Sequence, residues 1–323
     1  MTLAHSTHPA RGTSAATQGA GGTCVYVVGM HRSGTSAATE VIARLGINAP
    51  RPDDRHATTE WNQRGNWESR KLTWFNQRLL RKLGGSWSAP PALEAGWEAD
   101  DALSELRVEG AGVFSASFDS RPLVWKDPQL CILLPFWRRI VEPPVAAVFV
   151  YREPLEVARS LEARDGLPLI LGLSLWERYI RAACANLEGI PTLVADYRRA
   201  LEDPATWGRE LGAFFSEIGV MPDVAGQVGA DRVLDPQMRH QQASETTSTW
   251  PGDDARRTVR ALWPLDGVHL HWHPPEFDPE PPWVADVIAI RHDLEVARRN
   301  QRAIEASRAH RAVDWLRRTL HRA

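Results

Sequence analysis

The run Cys24-Val25-Tyr26-Val27-Val28, followed at once by Gly29-Met30-His31-Arg32-Ser33-Gly34-Thr35, constrains this chain more than any other segment. A short, continuous apolar run rich in β-branched residues predicts a buried strand. Beyond the glycines, Ala37, Ala38, Val41, Ile42 and Leu45 recur at helical spacing. Strand, glycine-bounded loop and helix are the opening unit of an α/β fold. Four residues separate Gly29 from Gly34, the length of a phosphate-binding loop. Its successive backbone N–H groups and the helix N-terminus behind it make an anion cradle.

The loop does not carry the side chains of an ordinary nucleotide hydrolase. After Gly34 a Walker-type loop continues with Lys and then Ser or Thr, whereas this chain has Thr35 and Ser36 and carries its cation inside the loop, at Arg32. A later apolar run, Val145 to Tyr151, ends in Arg152 rather than in an acidic magnesium ligand. A nucleotide anion held without a metal ion suits these residues better.

Further strands are predicted at Leu123-Val124-Trp125, Val145 to Val150 and Thr192 to Ala195, followed by helices near 129–140, 154–162 and 204–218. Leu72, Phe75, Leu79 and Leu83 mark an amphipathic helix from Trp67 to Gly84-Gly85. This alternation predicts a parallel sheet with helices on both faces. Ligands of such sheets lie outside the carboxyl ends of the strands, so the loops after Val28, Trp125 and Val150 are expected to converge. The stretches 50–66, 84–118 and 164–170 read as loops that set specificity.

Composition narrows the function. Lysine plus arginine number 38 against 40 acidic residues, a net charge of -2, which lacks the footprint of a dedicated nucleic-acid binder. No apolar stretch suits a membrane span, and residues 1–22 read as a disordered tail without the apolar middle of a secretory signal. The three cysteines, Cys24, Cys131 and Cys184, are far apart and suggest neither a disulfide framework nor a metal motif. With an arginine-heavy composition, these features lead to the expectation of a protein of the bacterial cytoplasm that meets neither membrane nor nucleic acid.

The strand–loop–helix junctions at 29–36 and 150–160 resemble those of the sulfotransferases that use 3′-phosphoadenosine 5′-phosphosulfate (PAPS). In that family a basic residue, Ser or Gly, Gly and Thr follow the first strand, as Arg32-Ser33-Gly34-Thr35 do here. The 3′-phosphate site is an arginine at the end of a central strand and a serine eight residues on, matching Arg152, with Pro154 behind it, and Ser160. Three further segments are similar to the bacterial carbohydrate-type branch: Asn62-Gln-Arg-Gly65-Asn-Trp67-Glu68, Lys126-Asp127-Pro128-Gln129 and Asp235-Pro-Gln-Met-Arg239-His240. Gln63 stands where that branch has Pro, and Gln129 where it has Arg. The resemblance covers about residues 23–240 and implies a P-loop-type, sulfotransferase-like parallel sheet with helices on both faces, followed by an irregular extension at 241–283 and a basic C-terminal helix at 284–323.

The resemblance also implies roles. Arg32, Ser33, Gly34, Thr35 and Ser36 hold the 5′-phosphosulfate, Arg152 and Ser160 the 3′-phosphate, and Lys126, presented after a central strand, reaches the bridging oxygen. Glu68, opening the helix that carries Phe75, is the base, with Glu60 and His56 in reserve. The tryptophan that stacks on adenine in the aryl and steroid branch is replaced by Ala37 and Ala38, and Tyr197 is its expected substitute. Asp127 with Pro128 reads as a helix cap that orients the loop presenting Lys126. His31 is expected to serve the loop rather than to act as an acid or base.

The expected partner is a glycan or small-molecule acceptor, and the co-substrate is PAPS with no metal. A non-catalytic nucleotide-binding scaffold and a P-loop kinase are the competing readings. Trp61, Trp67, Trp74 and Trp87 are candidates to line an acceptor cleft. His269, His271 and His273 alternate as a strand would and read as the solvated face of an edge strand, with a metal cluster the less favoured reading. Nine arginines against four acids in 291–323 make the C-terminal helix a candidate for a partner helix or a homo-oligomer contact.

Overall fold

The computed structural model describes residues 22–58, 65–220, 230–234 and 252–320. A five-stranded sheet of order β2-β1-β3-β4-β5 forms its centre. β1 (Cys24–Val28) runs parallel to β2 (Leu123–Lys126) on one side and to β3 (Val145–Tyr151) on the other. β4 (Thr192–Asp196) continues the parallel set, and β5 (Gly267–His269) pairs with it antiparallel. The sheet is therefore mixed rather than wholly parallel. β2, read from the sequence as central, is an outer strand, and Lys126 is its last residue.

Strands in the middle of such a sheet are buried on both faces, which is why they read as unbroken apolar runs. Cys24, Tyr26 and Val28 enter one core, with Trp125, Phe149, α2 (Arg70–Lys82), α4 (Leu130–Arg138) and α6 (Leu169–Asn186). Val25 and Val27 enter the other, with α1 (Thr35–Arg44) and α8 (Pro204–Glu217). Trp125 and Trp137 meet edge to face in the first core, at 4.6 Å between centroids and 90° between planes. That geometry contributes about 0.5–1.5 kcal/mol beyond the area buried.

The remaining helices are α3 (Ser104–Ser117), α5 (Pro154–Asp165), α7 (Tyr197–Glu202), α9 (Gly252–Leu262) and α10 (Pro282–Leu320). Two of them lie where the sequence suggested irregular structure, α3 within 84–118 and α9 within 241–283. α3 buries only Gly110 and Ser117, so no apolar stripe marks it. α6 errs the other way: wedged between α4, α5 and α10, it is apolar on nearly every side and shows no clear periodicity.

β5 ends at His269, whose Nε2 lies 2.6 Å from the Leu265 carbonyl oxygen, and the buried Trp272 follows. His271 and His273 therefore lie beyond the strand, and three imidazoles do not line one strand face. Among the described residues no helix is long and apolar enough to cross a membrane, and the three cysteines are buried and free.

Candidate functional site

The loop between β1 and α1 is shaped by close approaches at its two glycines. A Cβ on Gly29 would stand 2.1 Å from the Val150 carbonyl oxygen of the neighbouring strand. One on Gly34, which has φ 92°, would stand 2.1 Å from the Tyr197 ring. Between them Arg32 takes a left-handed conformation, φ 71°, which costs a non-glycine residue about 1–3 kcal/mol and is found mainly at binding and catalytic loops.

Gly34 caps α1 without a side-chain hydrogen bond, and the first turn of α1 contains no acid. The Ser33 hydroxyl is buried with no partner among the described residues. An uncapped, acid-free helix start beside an unsatisfied hydroxyl fits an anion.

Cations stand at both ends of this loop. At one end, Arg32 Nε donates to Ser160 Oγ at 2.8 Å, and Arg152 Nη1 donates to the Arg32 carbonyl at 3.2 Å. Arg152, at the end of β3, is buried and donates from Nε to Glu156 Oε2 at 2.8 Å, while Trp176 Nε1 holds its carbonyl at 2.9 Å. Burial, reinforced by the nearby guanidiniums of Arg164 and Arg152, brings the pKa of Arg32 down to about 10. The group stays charged at neutral pH but sits in a field that favours an incoming anion.

The Tyr197 ring is buried against Gly34, with the Arg152 guanidinium 5.4 Å from its centroid. Its visible contacts are with the loop and with Arg152. Two members of this end escaped sequence reading. Glu156 had a signal, since a glutamate four residues after Arg152 on a helix forms a pair. Arg164, twelve residues on and half-buried, had none.

At the other end, Lys126 Nζ donates to Ser36 Oγ at 3.0 Å and forms an ion pair with Glu68. The lysine is buried, although it closes an outer strand. Glu68 lies two residues before the start of α2 rather than opening it, because Ser69 is the cap: its Oγ accepts from Leu72 N at 3.1 Å and donates to Asp54 Oδ2 at 2.5 Å.

The turn after Lys126 is held by Asp127, whose carboxylate accepts from Gln129 N and from Asn76 Nδ2, both at 2.9 Å. Asn76 in turn accepts from Trp137 Nε1 at 2.8 Å. Burial raises Asp127 to about 6. α4 begins at Leu130, two residues later than the capping reading placed it. Asn76 was missed because its partner lies 51 positions away.

His56 follows Arg55, whose backbone bridges Ser69 antiparallel, so it neighbours Glu68 in that register. Glu60 and the 235–240 segment lie outside the described residues. His31 is half-buried, and its buried Nε2 has no partner among the described residues. Its ring centroid is 4.9 Å from that of Trp87, whose carbonyl accepts from Tyr179 Oη at 2.8 Å.

No protein-family model matches the chain, and no curated protein matches it. Solved structures do: the sulfotransferase domain from the Synechococcus PCC 7002 olefin synthase aligns at 15% identity with a TM-score of 0.44, over 75% of this chain and 96% of that chain.

Among the described residues, the tryptophans proposed for an acceptor cleft do not form one cluster. Trp61 lies outside the described residues, Trp67 has the Arg55 guanidinium 4.3 Å above its ring, Trp74 is exposed, and Trp87 lies against His31. Among the described residues, no ring contact joins Trp67, Trp74 and Trp87.

Proposed function

We propose that this chain is a sulfotransferase that moves the sulfuryl group of PAPS to a hydroxyl of a carbohydrate or small-molecule acceptor. The observation that carries the reading is the contact between the two phosphate-binding segments, Arg32 Nε to Ser160 Oγ at 2.8 Å, with Lys126 and Glu68 at the far end of the same loop. Two anion sites side by side, with a lysine and a carboxylate next to one of them, suit a nucleotide bearing phosphates at both ends of its ribose and a group to be transferred. The buried hydroxyl of Ser33 and the uncapped start of α1 suit the 5′ end.

In this reading Arg32, Ser33, Gly34, Thr35 and Ser36 hold the 5′-phosphosulfate, and Arg152 and Ser160 hold the 3′-phosphate. PAPS, when bound, supplies an activated sulfuryl group whose departure leaves 3′,5′-ADP. Lys126 turns from Glu68 and Ser36 to the oxygen on which charge builds. Glu68 takes the acceptor's hydroxyl proton on a carboxylate oxygen, a contribution of about 10²–10⁴-fold for a positioned base. Arg32 and the loop amides are oriented before binding, so little reorganisation accompanies the step.

The test is the thermal shift of the purified chain with 3′,5′-ADP against ATP plus Mg²⁺, repeated on Arg152→Ala. Because that change strands the buried Glu156, Arg152→Ala/Glu156→Ala is measured beside it. Stabilisation by 3′,5′-ADP alone, on the order of 2.7 kcal/mol at a hundredfold excess over Kd and lost in both variants, is expected. A response only to ATP with Mg²⁺, or to neither nucleotide, overturns the proposal.

A further inference from the structure

Helix α10 is 39 residues long, roughly 58 Å at 1.5 Å per residue. Its first part is anchored: Val284 and Ile288 are buried, and Arg291 and Glu295 both hydrogen-bond Ser88 or each other. From Ala297 to Ser307 every residue is exposed, so the helix leaves the domain. Isolated helices are marginal in water, and most helical stability in proteins comes from packing one face.

About a third of a turn round from the anchored line, Val287, Ile290, Leu294, Ala297, Gln301 and Ile304 follow one another at alternating steps of three and four. That is the a/d spacing of a coiled coil, with Val287, Leu294 and Gln301 at a and the others at d. Val287 is half-buried against the domain core, and beyond it Ile290, Leu294 and Ile304 are 61%, 48% and 53% exposed, so the seam is open from Ile290 onward.

The flanking charges decide what covers it. Asp286 and Asp293 lie on one side of the seam, at g positions, and Arg291 and Arg298 on the other, at e. Each acid precedes an arginine by five residues, the separation across which g of one strand meets e of the other in a parallel, in-register pair. Asp293 then faces Arg298 of the second copy, whereas Arg291 is already held by Ser88 and Glu295 of its own chain. An antiparallel pair sets e against e and brings the arginines together. Among the described residues, Asp293 and Arg298 form no ion pair within their own chain. Within this segment Gln301, the one polar residue at an a position, meets its own equivalent only in the parallel register, and a single polar a residue specifies register and strand number.

We propose that the 290–304 segment of α10 forms a parallel two-stranded coiled coil with the same segment of a second copy of this chain. This inference does not depend on the sulfotransferase reading. It is tested on the full chain by sedimentation velocity and by cysteine cross-linking. The expected mass is twice 36.1 kDa, falling to that of one chain in Leu294→Asp/Ile304→Asp, with the unfolding midpoint of the α/β domain unchanged because both residues are exposed.

Ile304→Cys is expected to become a disulfide-linked dimer on mild oxidation, and the native cysteines, all buried, do not compete. Wild-type chain that sediments as a monomer, or a dimer that survives Leu294→Asp/Ile304→Asp, overturns the pairing. A dimer in which Ile304→Cys fails to cross-link overturns the parallel orientation.

Discussion

Arg32 Nε donates to Ser160 Oγ at 2.8 Å across 128 positions of sequence, joining a loop that follows the first strand to a helix that follows the third. The bond holds a guanidinium whose backbone is already in a left-handed conformation. Each residue therefore helps to set the position of the other, and the two segments that resemble separate phosphate sites form one surface.

Ser160→Ala is expected to weaken 3′,5′-ADP while leaving 5′-AMP nearly untouched. A hydrogen bond to a charged group contributes about 1.5–3 kcal/mol, so the preference for the 3′-phosphate falls roughly ten- to a hundredfold. Titration calorimetry with both nucleotides measures it, and equal weakening of the two would show that Ser160 acts only by holding Arg32.

Glu68→Gln is expected to lower turnover by about 100-fold or more while 3′,5′-ADP still binds. It also leaves Lys126 buried beside a neutral amide, at a stability cost of roughly 1–3 kcal/mol. Steady-state rates and denaturant melts separate the two effects, and unchanged turnover removes Glu68 from the role of base.

Gly34→Ala is expected to destabilise the chain twice over. The left-handed backbone costs about 1–2 kcal/mol with a Cβ present, and the clash with the Tyr197 ring adds about 1–3 kcal/mol. Tyr197→Ala in the same chain recovers the second part only. A double-mutant cycle by urea melts reads the coupling, and strict additivity would mean the ring yields freely.

His31 gives a pH dependence of known sign. Burial, then the charges of Arg164, Lys126 and Arg32, hold its imidazole neutral well below the usual range. The unfolded chain takes up that proton below about pH 6.5 and the folded chain does not, so stability falls as the solution is acidified, by up to about 1.4 kcal/mol per pH unit. His31→Gln is expected to flatten this limb between pH 7 and pH 5. Urea melts across the range that show the same slope in both proteins would place the acid sensitivity elsewhere.

What the sequence by itself determined is what lies within one element or one turn. The unbroken apolar runs became β1, β3 and β4, because strands buried on both faces need no polar alternation. Gly29 and Gly34 marked places where only a residue without Cβ fits, and Arg152 and Ser160 fell on one helix junction because their spacing is local. Tertiary structure alone decided partners and edges. α6 could not be read because a helix surrounded by others has no polar face to give it a period, and β2 could not be placed because strand order depends on crossovers rather than on the strand's own residues. Asn76 on Asp127, Glu68 on Lys126 and Arg164 beside Arg32 were equally hidden. The strength of a charge or a hydrogen bond depends on what is buried around it, and that neighbourhood is assembled from segments that only the fold brings together.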